Sequence, residues 1–312
     1  MRYSLLSRFE GCLLGAAVGF RLGAGYEENA KKLHNYAWFG VGNQDLSRSV
    51  LMPQGMALQK AVAESLIKEG IVQTSFWQNL AEKQSIDVVD VVLGTLPLAL
   101  YLHEQELKKK LSLQEACLNL PDGEVTQQIV LALGYGISLA LQEKRLSRVL
   151  IGETVERLKE DLGDAESVLG KQFSKIECLL DDYAGLERLL RVVGRDSVKG
   201  QMVAVAIGFS SFAMYPEDFR LCVMRALRAG KSPKLAAVIA GALCGAYVGV
   251  AGIPVAWSEV VNRLELGLEE MPVREMGGRL FAAWSGVYQI QGSMIEAGRF
   301  GAIAASELLR RR

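Results

Sequence analysis

Acidic residues are absent from two long stretches of this sequence, and histidine is scarce throughout. No Asp or Glu occurs from Leu46 to Ala63 or from Phe219 to Ser258. The two histidines, His34 and His103, lie in unrelated segments and cannot form a zinc site by themselves. A GxSxG string is also missing, so the sequence gives little support to nucleophilic catalysis by a serine.

Cysteine pairs, an excess of one charge and a signal peptide are missing as well. The five cysteines are dispersed without a CxxC pair, which predicts reduced thiols in the core of a cytoplasmic protein. Lys plus Arg and Asp plus Glu both number 35, so nucleic acid is not expected as a partner. Arg8 and Glu10 interrupt the apolar residues near the N-terminus, and we expect no signal peptide there.

Long apolar runs are limited to one uncharged stretch, from Leu235 to Ser258, which is long enough to cross a bilayer. Pro254, with Gly249 and Gly252, is expected to end its helix early. No second run of this quality is apparent. We therefore expect a buried core helix and no membrane partner.

Helical periodicity dominates what is present. Apolar residues recur three or four positions apart in several segments, whereas strand-like alternation is nearly absent. These segments are Met56–Lys68, Val88–His103, Val125–Leu141, Val198–Met214, Pro216–Arg228 and Ser293–Arg310. Because no Pro/Ser-rich linker divides the chain, residues 1–312 are predicted to form a single all-α domain.

The most charged part of the chain runs from Glu143 to Asp196 and is predicted to form an outer helical layer. Its carboxylates are expected to be solvated. Asp181 and Asp182 would be the first place to look for a metal site that has moved.

Three strings share a skeleton of glycine, alanine and leucine: Arg8 to Glu28, Leu51 to Glu64 and Gly230 to Gly249. Four glycines of the first string fall on one helix face, where they let another backbone come close. They are Gly11, Gly15, Gly19 and Gly23.

In order and content, the three strings resemble the ADP-ribosylglycohydrolase family. Its hallmarks run roughly GCLLGxAxGDALGxxxE, TDDTxMALAxAE and GGDTDTxAAxAGAxxGA. The resemblance implies a single-domain orthogonal helical bundle. In the family, paired aspartates, neighbouring threonines and an early glutamate hold two magnesium ions that serve the hydrolysis of ADP-ribosyl bonds.

Most of those metal ligands are replaced here. The aspartate of GDALG is Phe20, TDDT becomes Leu51 to Gln54, and DTDT falls on Ser232 to Leu235. Only Glu27 stands where the family places its early glutamate. Two adjacent magnesium ions need several carboxylates around them. We therefore expect no metal and no other cofactor, although the family uses magnesium.

Cationic residues stand at or beside the lost ligands. Arg21, Lys231 and Lys234 would border a cleft near Glu27 if the strings converge as in the family, and they could then bind a phosphate or another anion. Other interpretations stay open: the cations could face solvent at helix ends, and Glu27 could be a solvated loop residue. Glu27 could also pair with one of the cations, and the pocket would then have a purely structural role.

The sequence favours a catalytically inactive relative that binds a phosphorylated or ADP-ribose-like small molecule, or a protein. The polar turn that precedes a PLAL-containing helix in active members is also lost, since the chain reads DVVDVVLGTLPL from Asp87 to Leu98. The alternative is an active hydrolase of ADP-ribosyl or related N- or O-glycosidic bonds. Its rebuilt, metal-independent site would use Glu27 or Asp90 as acid or base.

Overall fold

The computed structural model describes residues 3–28, 54–83, 86–118, 120, 122–142, 147–162, 168–181, 185–194, 200–229, 232–264 and 272–287. Within these ranges the chain forms fourteen α-helices and two short 3₁₀ helices, Leu227–Ala229 and Val250–Gly252, and no strand. The prediction of an all-α fold is confirmed. The helices are α1 Leu5–Glu28, α2 Gln54–Glu69, α3 Thr74–Lys83, α4 Val88–Tyr101, α5 Glu106–Glu115, α6 Gly123–Leu141, α7 Ser147–Leu162, α8 Val168–Asp181, α9 Leu186–Val193, α10 Gly200–Met214, α11 Phe219–Ala226, α12 Pro233–Val248, α13 Val255–Leu264 and α14 Val273–Ser285.

Helices α1 and α12 form the centre of the bundle and make its most extensive contact. The glycine row of α1 produces this contact. A Cβ atom added at Gly15 would overlap the carbonyl oxygen of Gly241, and one added at Gly11 would overlap that of Gly245. The two backbones therefore touch directly, as the four-residue glycine spacing predicts.

Arg8 fixes α1 against two further helix ends. Its guanidinium, only 2% exposed, donates to the carbonyl oxygens of Ala140 and Leu141 at 2.8 Å each and to that of Tyr247 at 3.3 Å. Carbonyl groups in the last turn of a helix have no partner within the helix. Arg8 satisfies those of α6 and α12, and so holds α1 in register with both.

Helix α12 ends at Val248, and Gly249 follows with a φ of 65°. The expected early end before Pro254 is confirmed, and the helix is too short to cross a bilayer. The expectation that no other run rivals it is wrong. Of the described helices, Gly123–Leu141 is long and apolar enough for a span, but 83% of its 18-residue apolar window is buried inside the protein, as in a core helix.

Helix boundaries depart from the predicted segments mainly at α11. Asp218 lies at its N-cap and its carboxylate accepts a hydrogen bond from the Leu221 amide at 2.9 Å, so the helix begins after Pro216 and Glu217. The segment Ser293–Arg310 lies outside the described residues.

Cysteine placement follows the prediction with one exception. Cys12, Cys117, Cys222 and Cys244 are buried, and burial raises the pKa of the Cys117 thiol to about 12. Such thiols are inert as nucleophiles at neutral pH. Cys178 is exposed on α8, so the prediction of a core position is wrong for this residue.

Candidate functional site

The end of α1 meets the start of α12 at Glu27 and Lys234. A Cβ atom at Gly23 would overlap the Cα atom of Lys234, so the missing side chain lets the two segments close together. The Lys234 ammonium lies 3.7 Å from Glu27 Oε2. The Lys234 backbone amide donates to Glu27 Oε1 at 3.4 Å. One carboxylate therefore engages both the charge and the backbone of the same residue.

The Glu27 carboxylate caps the N-terminus of α12, a role that the residue at the N-cap does not fill. Ser232 occupies the N-cap with a φ of 51°, and its hydroxyl makes no capping hydrogen bond. The first amides of a helix lack partners within the helix, and the positive end of the helix dipole favours an anion there. The Glu27 carboxylate fills this role from another helix.

Two further side chains enclose the Lys234 ammonium. Asp87, just before α4, places Oδ2 4.0 Å from it, and the centre of the Phe20 ring lies 5.5 Å from it. A ring face attracts a cation at this distance. Lys234 is 24% exposed, whereas Phe20 is 7% exposed. Phe20 and Lys234, which stand at metal-ligand positions of the first and third strings, thus contact each other.

Asp90 makes a similar contact at the start of α2. Its Oδ1 accepts a hydrogen bond from the Gly55 amide at 2.8 Å, and the absence of a side chain at Gly55 allows α4 to approach. Burial raises the pKa of the half-buried Asp90 carboxyl, and Asp87 adds to this, while the Gly55 amide and Lys234 oppose it. Two helix N-termini at this place thus receive a carboxylate from another helix.

The comparison with protein families gives a match to the ADP-ribosylglycohydrolase model over residues 1–289. The chain belongs to the ADP-ribosylglycohydrolase family. No curated protein matches the sequence.

Set against the ADP-ribosylglycohydrolase strings, the structure brings the first and third together, as the resemblance implies. Glu27 and Lys234 form an ion pair, which is one of the three arrangements left open by the sequence. Arg21 is 6% exposed, so the interpretation of a solvent-facing cation is wrong for this residue. Lys231 and the replaced ligands Leu51 to Pro53 lie outside the described residues.

The described residues at this place do not fit the two magnesium ions of the ADP-ribosylglycohydrolase family. The carboxylates described at this place are those of Glu27, Asp87 and Asp90. The first two lie within 4.0 Å of the Lys234 ammonium, which offsets their charge. The third already accepts a hydrogen bond from the Gly55 amide. Across the described ranges, no group of three or more His, Cys, Asp or Glu side chains could hold a metal ion. The side chain of Asp181 and all of Asp182 fall outside those ranges.

Sequence reasoning did not connect Asp87 with this place. The residue was visible only as part of a lost polar turn, and its contact with Lys234 joins α4 to α12 across distant parts of the chain. His103, expected at a helix end, does follow α4. Its ring is buried beside those of Phe9 and Trp284, at centroid distances of 5.5 and 4.9 Å.

Proposed function

We propose that this protein is a member of the ADP-ribosylglycohydrolase family that no longer hydrolyses ADP-ribosyl bonds and acts through binding. The observation that supports this most directly is the Lys234 ammonium between Glu27 and Asp87. A fixed ammonium offsets carboxylate charge as a metal ion would. It has no open coordination positions, however, and cannot activate a bound water as magnesium does.

The partner we propose is a phosphorylated or ADP-ribose-like small molecule, with Lys234 as the cation that meets its phosphate. Such a ligand competes with Glu27 and Asp87 for the ammonium. Binding should therefore be weak in the wild type and tighter in Glu27→Gln, which removes one competing charge while keeping an acceptor for the Lys234 amide.

Calorimetric titration with ADP-ribose tests this directly. Glu27→Gln should bind ADP-ribose most tightly, the wild type should bind it more weakly, and Lys234→Met should not bind it. Equal affinities in all three proteins would rule out a ligand at Lys234, and would leave a protein partner as the binding role to pursue.

Hydrolysis is tested separately, with an ADP-ribosylated peptide as substrate and magnesium or EDTA in the buffer. We expect no release of ADP-ribose above the uncatalysed rate in either buffer. Release that requires magnesium would overturn the proposal, whatever the titration shows.

The metal-independent alternative has one observation in its favour. Burial raises the pKa of Asp90, and a raised pKa is what a carboxyl needs to act as a general acid near neutral pH. Under this alternative, ADP-ribose is released equally with magnesium or EDTA, and Asp90→Asn abolishes the release.

A further inference from the structure

A pocket lies on the side of the bundle formed by α9, α11 and the residue after α10. Its volume is about 100 Å³, and it shares no lining residue with the Glu27–Lys234 site. A volume of this size exceeds that of one water molecule severalfold, so it can receive a group of several heavy atoms.

Arginines dominate the polar lining of this pocket. Arg220, Arg225 and Arg228 all border it, and none of the described residues in its wall is acidic. The nearest carboxylate in sequence, that of Asp218, accepts the hydrogen bond from the Leu221 amide. No Asp or Glu occurs between Phe219 and Ser258, so the chain that forms this wall contributes arginines and no carboxylate to it.

Arg225 carries the strongest indication of a ligand. Its Nε and Nη2 atoms are closed off from solvent, and neither has a hydrogen-bond partner in the described parts of the chain. Burial lowers the pKa of Arg225, with Tyr215 and Cys222 opposing the shift, yet an arginine stays charged in a protein. Buried N–H groups nearly always have a partner, so this edge of Arg225 has the capacity to take an acceptor.

The unsatisfied atoms belong to one edge of the guanidinium. Nε and Nη2 point the same way and match the two oxygens of a carboxylate or phosphate group. This edge is covered in the structure, so pairing with a ligand requires that the guanidinium turn toward the pocket that Arg225 borders.

The rest of the wall is apolar or aromatic. Leu186, Leu221 and Met224 contribute aliphatic surface, and Tyr215 adds a ring with a hydroxyl group. A free inorganic anion would gain nothing from these side chains, whereas an anion attached to an apolar body would bury that body against them.

We propose that this pocket binds a small organic anion, in which a phosphate or carboxylate group pairs with Arg225 and an attached apolar or aromatic group packs on Leu221 and Met224. The site is separate from Lys234 and does not depend on the function proposed for that place.

The test uses the full chain and four probes: phenyl phosphate, benzoate, inorganic phosphate and benzylammonium. Calorimetry should show binding of phenyl phosphate or benzoate, weaker binding of inorganic phosphate, and none of benzylammonium. The tighter of the first two identifies which anionic group the pocket prefers. Because Arg225→Gln loses one charge-assisted hydrogen-bond pair, its affinity for the organic anion should be lower than that of the wild type by about tenfold or more.

Two variants keep the result independent of folding at Arg225. Arg228→Glu, at an exposed position, should also lose binding. Arg274→Gln, at an exposed arginine of α14 that does not border the pocket, should bind the probes as the wild type does. The proposal fails if the wild type binds no organic anion, if Arg225→Gln and Arg228→Glu bind as tightly as the wild type, or if Arg274→Gln weakens binding equally.

Discussion

Glu27 makes two contacts with one residue, and a change of its side chain can separate them. The glutamine in Glu27→Gln keeps an oxygen for the Lys234 amide but loses the ion pair, whereas Glu27→Ala loses both. Both side chains are partly exposed, so water screens the ion pair and the cap is worth more. We expect a loss of about 0.5 kcal/mol for Glu27→Gln and about 1 kcal/mol for Glu27→Ala in the free energy of unfolding.

A double-mutant cycle checks this assignment. Urea unfolding of Glu27→Gln, Lys234→Met and the double variant should give a coupling of about 0.5 kcal/mol between the two side chains. Zero coupling, together with an unaltered Glu27→Ala protein, would show that the ion pair and the cap do not form in solution.

Asp90 leads to a pH dependence. Because the pKa is raised in the folded protein, the folded chain binds this proton more tightly than the unfolded chain does. The protonated Asp90 carboxyl stabilises the folded state at pH values below its unfolded pKa of about 4. This stabilisation is lost as the pH rises through its pKa in the folded protein. Asp90→Asn keeps an acceptor for the Gly55 amide and lacks this titration.

Unfolding free energies of wild type and Asp90→Asn should therefore diverge as the pH rises above the unfolded pKa of about 4. The variant should gain on the wild type as the pH rises, since the other carboxyl groups titrate alike in both. Parallel stability profiles of the two proteins would mean that folding does not raise the pKa of the Asp90 carboxyl.

At the scale of the helix, the direct contact of α1 with α12 depends on the absence of side chains. Gly15→Ala would press a methyl group into the Gly241 carbonyl, and we expect a loss of about 1–3 kcal/mol or more. Gly25, in the same helix, is the matched control. A Cβ atom there meets nothing within 4 Å, so Gly25→Ala should stabilise the protein by about 0.5–1 kcal/mol.

Thermal or urea unfolding measures both changes. The opposite signs are the essential result, because a helix-propensity effect alone would make both substitutions stabilising. If Gly15→Ala also stabilised the protein, the close approach of the two helices would be wrong.

The helices were predictable from the sequence to the extent that their signals are local. The periodicity of α4, α6 and α10 and the glycine spacing of α1 depend on neighbouring residues, and each gave the right element. The start of α11 was placed too early, because Asp218 caps it through its side chain. A capping hydrogen bond of this kind outweighs the apolar periodicity that begins at Pro216.

At the scale of the whole molecule, the Lys234 cluster was only partly predictable. The family strings implied that Glu27 and Lys234 would approach each other, and they do. The contact with Asp87 and the buried edge of Arg225 arise from packing between elements far apart in sequence. No local pattern specifies such contacts, although the acid-free stretch around Arg225 was visible from the start.

The protein as a whole should be indifferent to magnesium. Because the Lys234 ammonium lies beside the carboxylates of Glu27 and Asp87, the melting temperature should be the same in magnesium and in EDTA. Ligand binding to the folded state raises the melting temperature. A rise with magnesium that EDTA reverses would therefore show that a metal site exists in this chain.

The pairing of Gly15 with Gly241 also sets an order of events during synthesis. Helix α1 leaves the ribosome before α12 does, so its glycine face has no counterpart until α12 has been made. At about 5–20 residues per second, that interval is roughly 10–50 s. During this time the apolar residues of α1 stay uncovered or make provisional contacts. Contacts of such long range also slow folding, so the nascent chain should depend on chaperones until Val248 has emerged.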